Sequence, residues 1–104
     1  MKREPTYSVA EGRALLPQIR ATLLQLAVER HRADEAHAAM HARMQALLEH
    51  LESLGVVVRD LDEGLVDIPT IRDGERAWLC WRLSDPDLAH WHTTREGYAS
   101  RRPL

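Results

Sequence analysis

The chain has 104 residues, with 14 Lys plus Arg against 16 Asp plus Glu, a formal net charge of −2 and one cysteine. That length is one domain, residues 1–104, with a modest core, and the near balance of charge excludes a nucleic-acid binder that works by massed phosphate contacts. A lone Cys80 excludes an intrachain disulfide and suits a reducing compartment; no apolar run of about 18 residues occurs, so the expectation is a cytoplasmic protein with no membrane span.

Residues 7–54 read as the helical part. Ser8 followed by Glu11 is a capping-box pattern, in which each side chain accepts a backbone N–H of the other. It predicts a short helix from Val9 to about Leu15. A kink or break is expected at Leu16-Pro17, with Pro17 in the first turn of the long helix, because an internal proline lacks one helix hydrogen bond and crowds the carbonyl four residues back. From Gln18 to Leu54 there is no Gly or Pro, and good helix formers dominate. Leu16, Ile19, Leu23, Leu26, Ala33, Met40, Met44, Leu47, Leu51 and Leu54 keep a three-then-four spacing, with Arg30 and His37 in the two remaining places. The repeat predicts one long coiled-coil-like helix, closed at Gly55, that the rest of the chain is too small to cover. A homodimer through this helix follows. Flanking charges favour an antiparallel pair that sets Glu29 against Arg43. In the competing reading a tight turn over residues 31–34 lets Asp34 cap a second helix; continuity of the register favours the rod.

Residues 55–104 read as a β-hairpin unit with a tail. Val56-Val57-Val58 suits a strand, and Arg59 to Gly64 a charged turn. Leu65 to Ile71 and Glu75 to Leu83 flank Asp73-Gly74, a two-residue hairpin turn whose residues both tolerate positive φ. The resulting register pairs Arg72 with Glu75, Ile68 with Leu79, Asp67 with Cys80 and Val66 with Trp81. Alternation puts Val66, Ile68, Leu79, Trp81 and Leu83 on a core face and Asp67, Cys80 and Arg82 on the other, with Pro69 and Trp78 beside them. Pro69 cannot donate to a ladder, so its strand is expected at an edge or locally interrupted. Ser84-Asp85-Pro86 ends the hairpin, and a short helical turn is expected around Asp87 to His90. The fold class is α+β: a short N-terminal helix and a long coiled-coil-like helix, then a small antiparallel β-hairpin or three-stranded sheet.

Gly64-Leu-Val-Asp-Ile-Pro69, Asp73-Gly74, Leu79-Cys-Trp-Arg-Leu83, Pro86, Trp91-His92, Gly97-Tyr-Ala-Ser-Arg101 and Pro103-Leu104, together with Tyr7-Ser8 and Ala14-Leu-Leu-Pro17, resemble a small bacterial family known as domain of unknown function 2203. The resemblance implies the same partition of the fold and carries no activity. Two departures stand out: the glycine-containing turn common in that family's helical part is absent, and His90 replaces a usual aromatic residue.

Three groups of residues are candidates for chemistry. Asp67, Cys80, Arg82, Asp87 and His92 gather around the polar hairpin face if the tail folds back, and carboxylate, thiolate and imidazole from Asp67, Cys80 and His92 would suit zinc or iron. The structural alternative is an Asp67–Arg82 salt bridge, an inert buried thiol and His92 donating to a carbonyl. His90 and His92 point the same way, and share a metal, only if the chain there is extended. Asp34, His37 and His41 either chelate from the long helix or set its register. With no Gly-rich phosphate loop, nucleophile elbow, His-Glu-x-x-His motif or Cys pair, no catalytic residue is assigned. The expected function is binding of a metal ion or small ligand at the C-terminal β unit. The competing class is a structural module that engages a protein partner through the helix.

Overall fold

Ser8 and Glu11 form the reciprocal cap the sequence predicts: Glu11 N–H donates to Ser8 Oγ at 3.1 Å and Ser8 N–H donates to Glu11 Oε1 at 2.9 Å. These bonds, the backbone one first, hold the Glu11 carboxyl below its ordinary range. The computed structural model describes residues 5–30 and 37–104. Helix α1, Val9–Arg30, starts at the cap and continues through Pro17, so neither the expected end near Leu15 nor a break at Leu16-Pro17 occurs. Pro17 is exposed, while Leu16, Ile19, Leu23 and Leu26 on the same helix are buried. Burying side chains of this kind is worth ~1.5–3 kcal/mol each. Together they outweigh the ~3 kcal/mol that an interior proline costs.

Helix α2, His37–Ser53, packs against α1. Arg43 Nε donates to Glu29 Oε2 at 2.8 Å across a sequence separation of 14 residues. In a continuous rod such residues lie roughly 21 Å apart, so the single long coiled-coil-like helix is corrected to two helices folded together. The Glu29–Arg43 contact expected between two molecules is made within one. A three-then-four stripe is equally well met by a second helix of the same chain, which tethering keeps at high effective concentration. Leu16, Ile19, Leu23, Leu26 and Leu51 enter the core, with Met44, Leu47, Leu48 and Leu54 packed against it. Much of the ridge from which a homodimer is expected therefore packs within one chain.

Gly55, at φ 78°, ends the helical part. Five antiparallel strands follow in the order β1 (Val57–Asp60), β2 (Leu65–Arg72), β3 (Glu75–Trp81), β4 (His90–Thr93) and β5 (Arg102–Pro103), each beside the next. The β2–β3 register matches every predicted pair, from Arg72 opposite Glu75 to Val66 opposite Trp81. Asp73 at φ 51° and Gly74 at φ 79° make the turn that fixes it. The sheet exceeds the expected hairpin or three strands because the tail adds β4 and β5. The helical turn expected around Asp87 to His90 gives way to extended chain from His90, where Trp91 lies opposite Leu79 on the core face and His92 opposite Trp78 on the other.

β2 lies between two strands, yet Pro69 is accommodated as an interruption. β1 stops with Val57 opposite Asp67, and beyond it the N-terminal segment takes its place: Tyr7 N–H donates to the Pro69 carbonyl at 2.8 Å and Thr70 Oγ1 to the Tyr7 carbonyl at 2.5 Å. One sheet face, with Val66, Ile68, Leu79 and Trp81 buried, packs on the helices. The opposite face carries the site. Among the described residues no helix is long and apolar enough to cross a membrane.

Candidate metal centre

Strand pairing alone brings the predicted ligands together. Asp67 on β2 lies directly opposite Cys80 on β3; His92 on β4 lies opposite Trp78, two residues before Cys80. Two-residue periodicity then puts all three side chains on the face turned away from the helices. A carboxylate oxygen, the Cys80 sulfur and an imidazole nitrogen lie within 4.8 Å of one another. Asp67 is 2 % exposed, Cys80 1 % and His92 2 %.

Hydrogen bonding defines what each group offers. His92 Nδ1 lies 2.8 Å from the Thr93 carbonyl oxygen, and His92 Nε2 lies 2.9 Å from Asp67 Oδ1. A carbonyl only accepts, so Nδ1 carries a proton, and Nε2 is the nitrogen turned to the carboxylate. Two atoms of this kind so close are bridged either by a proton on Nε2 or by a cation that takes the place of that proton. A backbone carbonyl that fixes the far nitrogen of the ring is the usual support of a metal-ligating histidine. Asp67 Oδ2 is held by Arg59, whose Nε donates to it at 2.9 Å. Burial first, then the Asp67 charge, pushes the Cys80 thiol up to about 11, against a smaller opposing effect of Arg101. A nucleophilic cysteine needs the reverse, a partly exposed electropositive setting.

The tail that covers the face is clamped by two arginine–carboxylate pairs. Arg101 donates to Asp85 at 2.8 Å and 3.5 Å, and Arg102 to Glu96 at 3.2 Å and 3.5 Å. Burial tends to raise the Asp85 carboxyl, but Arg101 and Arg82 outweigh it and hold it below the ordinary range. Between Arg82 and Arg101 sits the Tyr98 ring, 5.2 Å and 4.4 Å from the two guanidinium carbons. Under this strap Asp67, Cys80 and His92 border an open pocket of about 370 Å³, walled by Arg59, Thr94, Glu96 and Tyr98.

Not every expected residue is here. Arg82 turns to Asp85 and Tyr98, and the expected Asp67–Arg82 salt bridge is replaced by Asp67–Arg59. Asp87 sits elsewhere, ion-paired with Arg13 at 3.4 Å. His90 shares the face, opposite Cys80, but is outside the group of clustered ligand atoms, and among the described residues its buried Nδ1 has no hydrogen-bond partner. The extended chain on which a metal shared by His90 and His92 depends is therefore present. Asp34 and the His37 side chain lie outside the described residues, and His41 is exposed on α2. Sequence reasoning missed Arg59. Its place follows from the β1–β2 register, in which Val57 lies opposite Asp67 and the ladder shifts between Val58 and Asp60, a pairing that no local turn signal in the sequence states.

A family model described as an uncharacterized conserved protein (DUF2203) matches residues 25–104, a span that includes α2, the whole sheet and Asp67, Cys80 and His92. No curated protein and no solved structure matches the chain.

Proposed function

We propose that this chain, which belongs to the DUF2203 family, holds a divalent transition-metal ion, zinc or iron, on Asp67, Cys80 and His92. One observation carries the reading: three buried ligand atoms of different type converge within 4.8 Å, with the far nitrogen of His92 already committed to a carbonyl. Carboxylate, thiolate and neutral imidazole together suit zinc or iron, and three protein ligands leave a fourth tetrahedral position open. Binding must displace the Cys80 proton. From a thiol at about 11, this costs ~5 kcal/mol at neutral pH, well within the ~10–16 kcal/mol that structural zinc sites release. A free thiol suits a reducing compartment, and on that ground we place the protein in the cytoplasm.

Partner binding by the helices has less to stand on. Leu24 and Val28 are 52 % and 56 % exposed on α1, a pair of a size that ordinary surfaces carry. Purification without a histidine tag, incubation with zinc, desalting and elemental analysis test the metal reading. Stoichiometric zinc in the wild type, lost in Asp67→Ala and His92→Ala variants that keep their circular dichroism, is expected. Wild-type protein that emerges free of metal contradicts it.

A further inference from the structure

The pocket beside the triad contains a cation only partly used by the protein. Arg59 spends Nε on Asp67 Oδ2 at 2.9 Å, and its guanidinium lies over the Trp78 ring at 5.2 Å. These two contacts fix it in place. Among the described residues its terminal amino groups make no hydrogen bond, and the side chain, 45 % exposed, borders the pocket. The fork is thus held with four N–H donors spare, the geometry that matches a carboxylate or phosphate.

Charge points the same way. With a divalent ion bound, Asp67 and a Cys80 thiolate together neutralise it. Glu96, the other acid on the pocket wall, is matched by Arg102, and Asp85 behind Tyr98 is matched by Arg101. Arg59 is the charge left over. A loaded pocket therefore presents a net positive field in partly desolvated surroundings, where an anion is favoured and a cation opposed. The volume of about 370 Å³ sets the ligand at the small end of organic molecules.

We infer that the open position of the metal and the spare donors of Arg59 together bind the oxyanion of a small ligand, a carboxylate or a phosphate. One oxygen takes the fourth coordination position while another accepts from the guanidinium. No bond is made or broken in the ligand. The inference rests on the metal reading above and adds Arg59 as a ligand-binding residue.

Cobalt(II) in place of zinc separates the two, because a thiolate-to-cobalt charge-transfer band reports the metal and its visible bands report the fourth ligand. Cobalt-loaded protein is titrated with acetate and, separately, with inorganic phosphate, at constant ionic strength set with perchlorate. A saturable change of the visible bands with one of them, at millimolar concentration or below, is expected and identifies which oxyanion the pocket takes. Arg59→Gln should keep the charge-transfer band and weaken the anion roughly ten- to hundredfold. If Arg59→Gln fails to hold cobalt, Arg59→Lys, which keeps the charge without the fork, is expected to bind the anion more weakly than the wild type by at least about tenfold. A charge-transfer band indifferent to both anions overturns this inference and leaves the metal reading intact. Equal anion affinity in the wild type and the variant that holds cobalt also overturns it. Absence of the band in the wild type removes the metal reading and this inference with it.

Discussion

The helical pair and the sheet were built from equally clear periodic patterns, yet the sequence specified them to different depths. In the sheet, Asp73-Gly74 is a local device: two residues at positive φ fix which strand residue faces which, and the pairing of Asp67 with Cys80 follows without further choice. The helical stripe has no such device. It states that an apolar face must be covered but not by what, and Leu16 to Leu54 could turn to another molecule or back on itself. The lesson is that a turn determines a partner, whereas a stripe determines only a need for one.

The strongest way to break this comparison is to ask whether the two regions fold apart. Trp81 on β3 is fully buried in the core shared with α1, so Trp81→Ala is expected to cost ~3–5 kcal/mol. In urea, helical circular dichroism and the fluorescence of the remaining tryptophans should be lost in one transition. Helical signal that survives after the sheet has melted would show an independent helical unit.

A second test addresses the sheet alone. The Cys80 thiol lies above its ordinary value of 9.0, at about 11, so metal-free protein gains from the neutral thiol fully below pH 9. That gain is lost as pH rises through 11. The difference, ~3 kcal/mol, should appear as a steeper alkaline loss of stability in the wild type than in Cys80→Ala. Parallel curves would mean that the thiol is not buried as described.

Smaller effects sharpen the helical side. Glu29 is buried and Arg43 is 40 % exposed, so a Glu29→Gln, Arg43→Gln double-mutant cycle should give a solvent-discounted coupling of ~1 kcal/mol that does not vary with protein concentration. Zero coupling would fit a rod, and coupling that fades on dilution would fit contact between molecules. Ser8→Ala removes the oxygen that caps α1 and should cost ~1 kcal/mol by thermal or urea denaturation. No change would mean that the cap is idle.

What could be read in advance follows the same division. The cap at Ser8 and Glu11, the end at Gly55 and the β2–β3 register are local, and each was legible. So was the set of Asp67, Cys80 and His92, since alternation places the first two and an extended tail brings the third. Passage of α1 through Pro17 was not legible, because the deciding term is burial of Leu16 and Ile19 against strands distant in sequence. Nor was the choice of Arg59 over Arg82 as the partner of Asp67. It depends on β1 pairing with β2 across a charged turn that carries no two-residue signature. Asp87, expected beside the site once the tail folds back, pairs instead with Arg13.

The claim that most depends on all of this is that three strands deliver a carboxylate, a thiolate and an imidazole to one ion. X-ray absorption at the zinc edge of the loaded protein tests it most directly. The account predicts one sulfur neighbour at ~2.3 Å with nitrogen and oxygen neighbours at ~2.0–2.2 Å, the sulfur disappearing in Cys80→Ser. A shell of nitrogen and oxygen alone in the wild-type protein would contradict it.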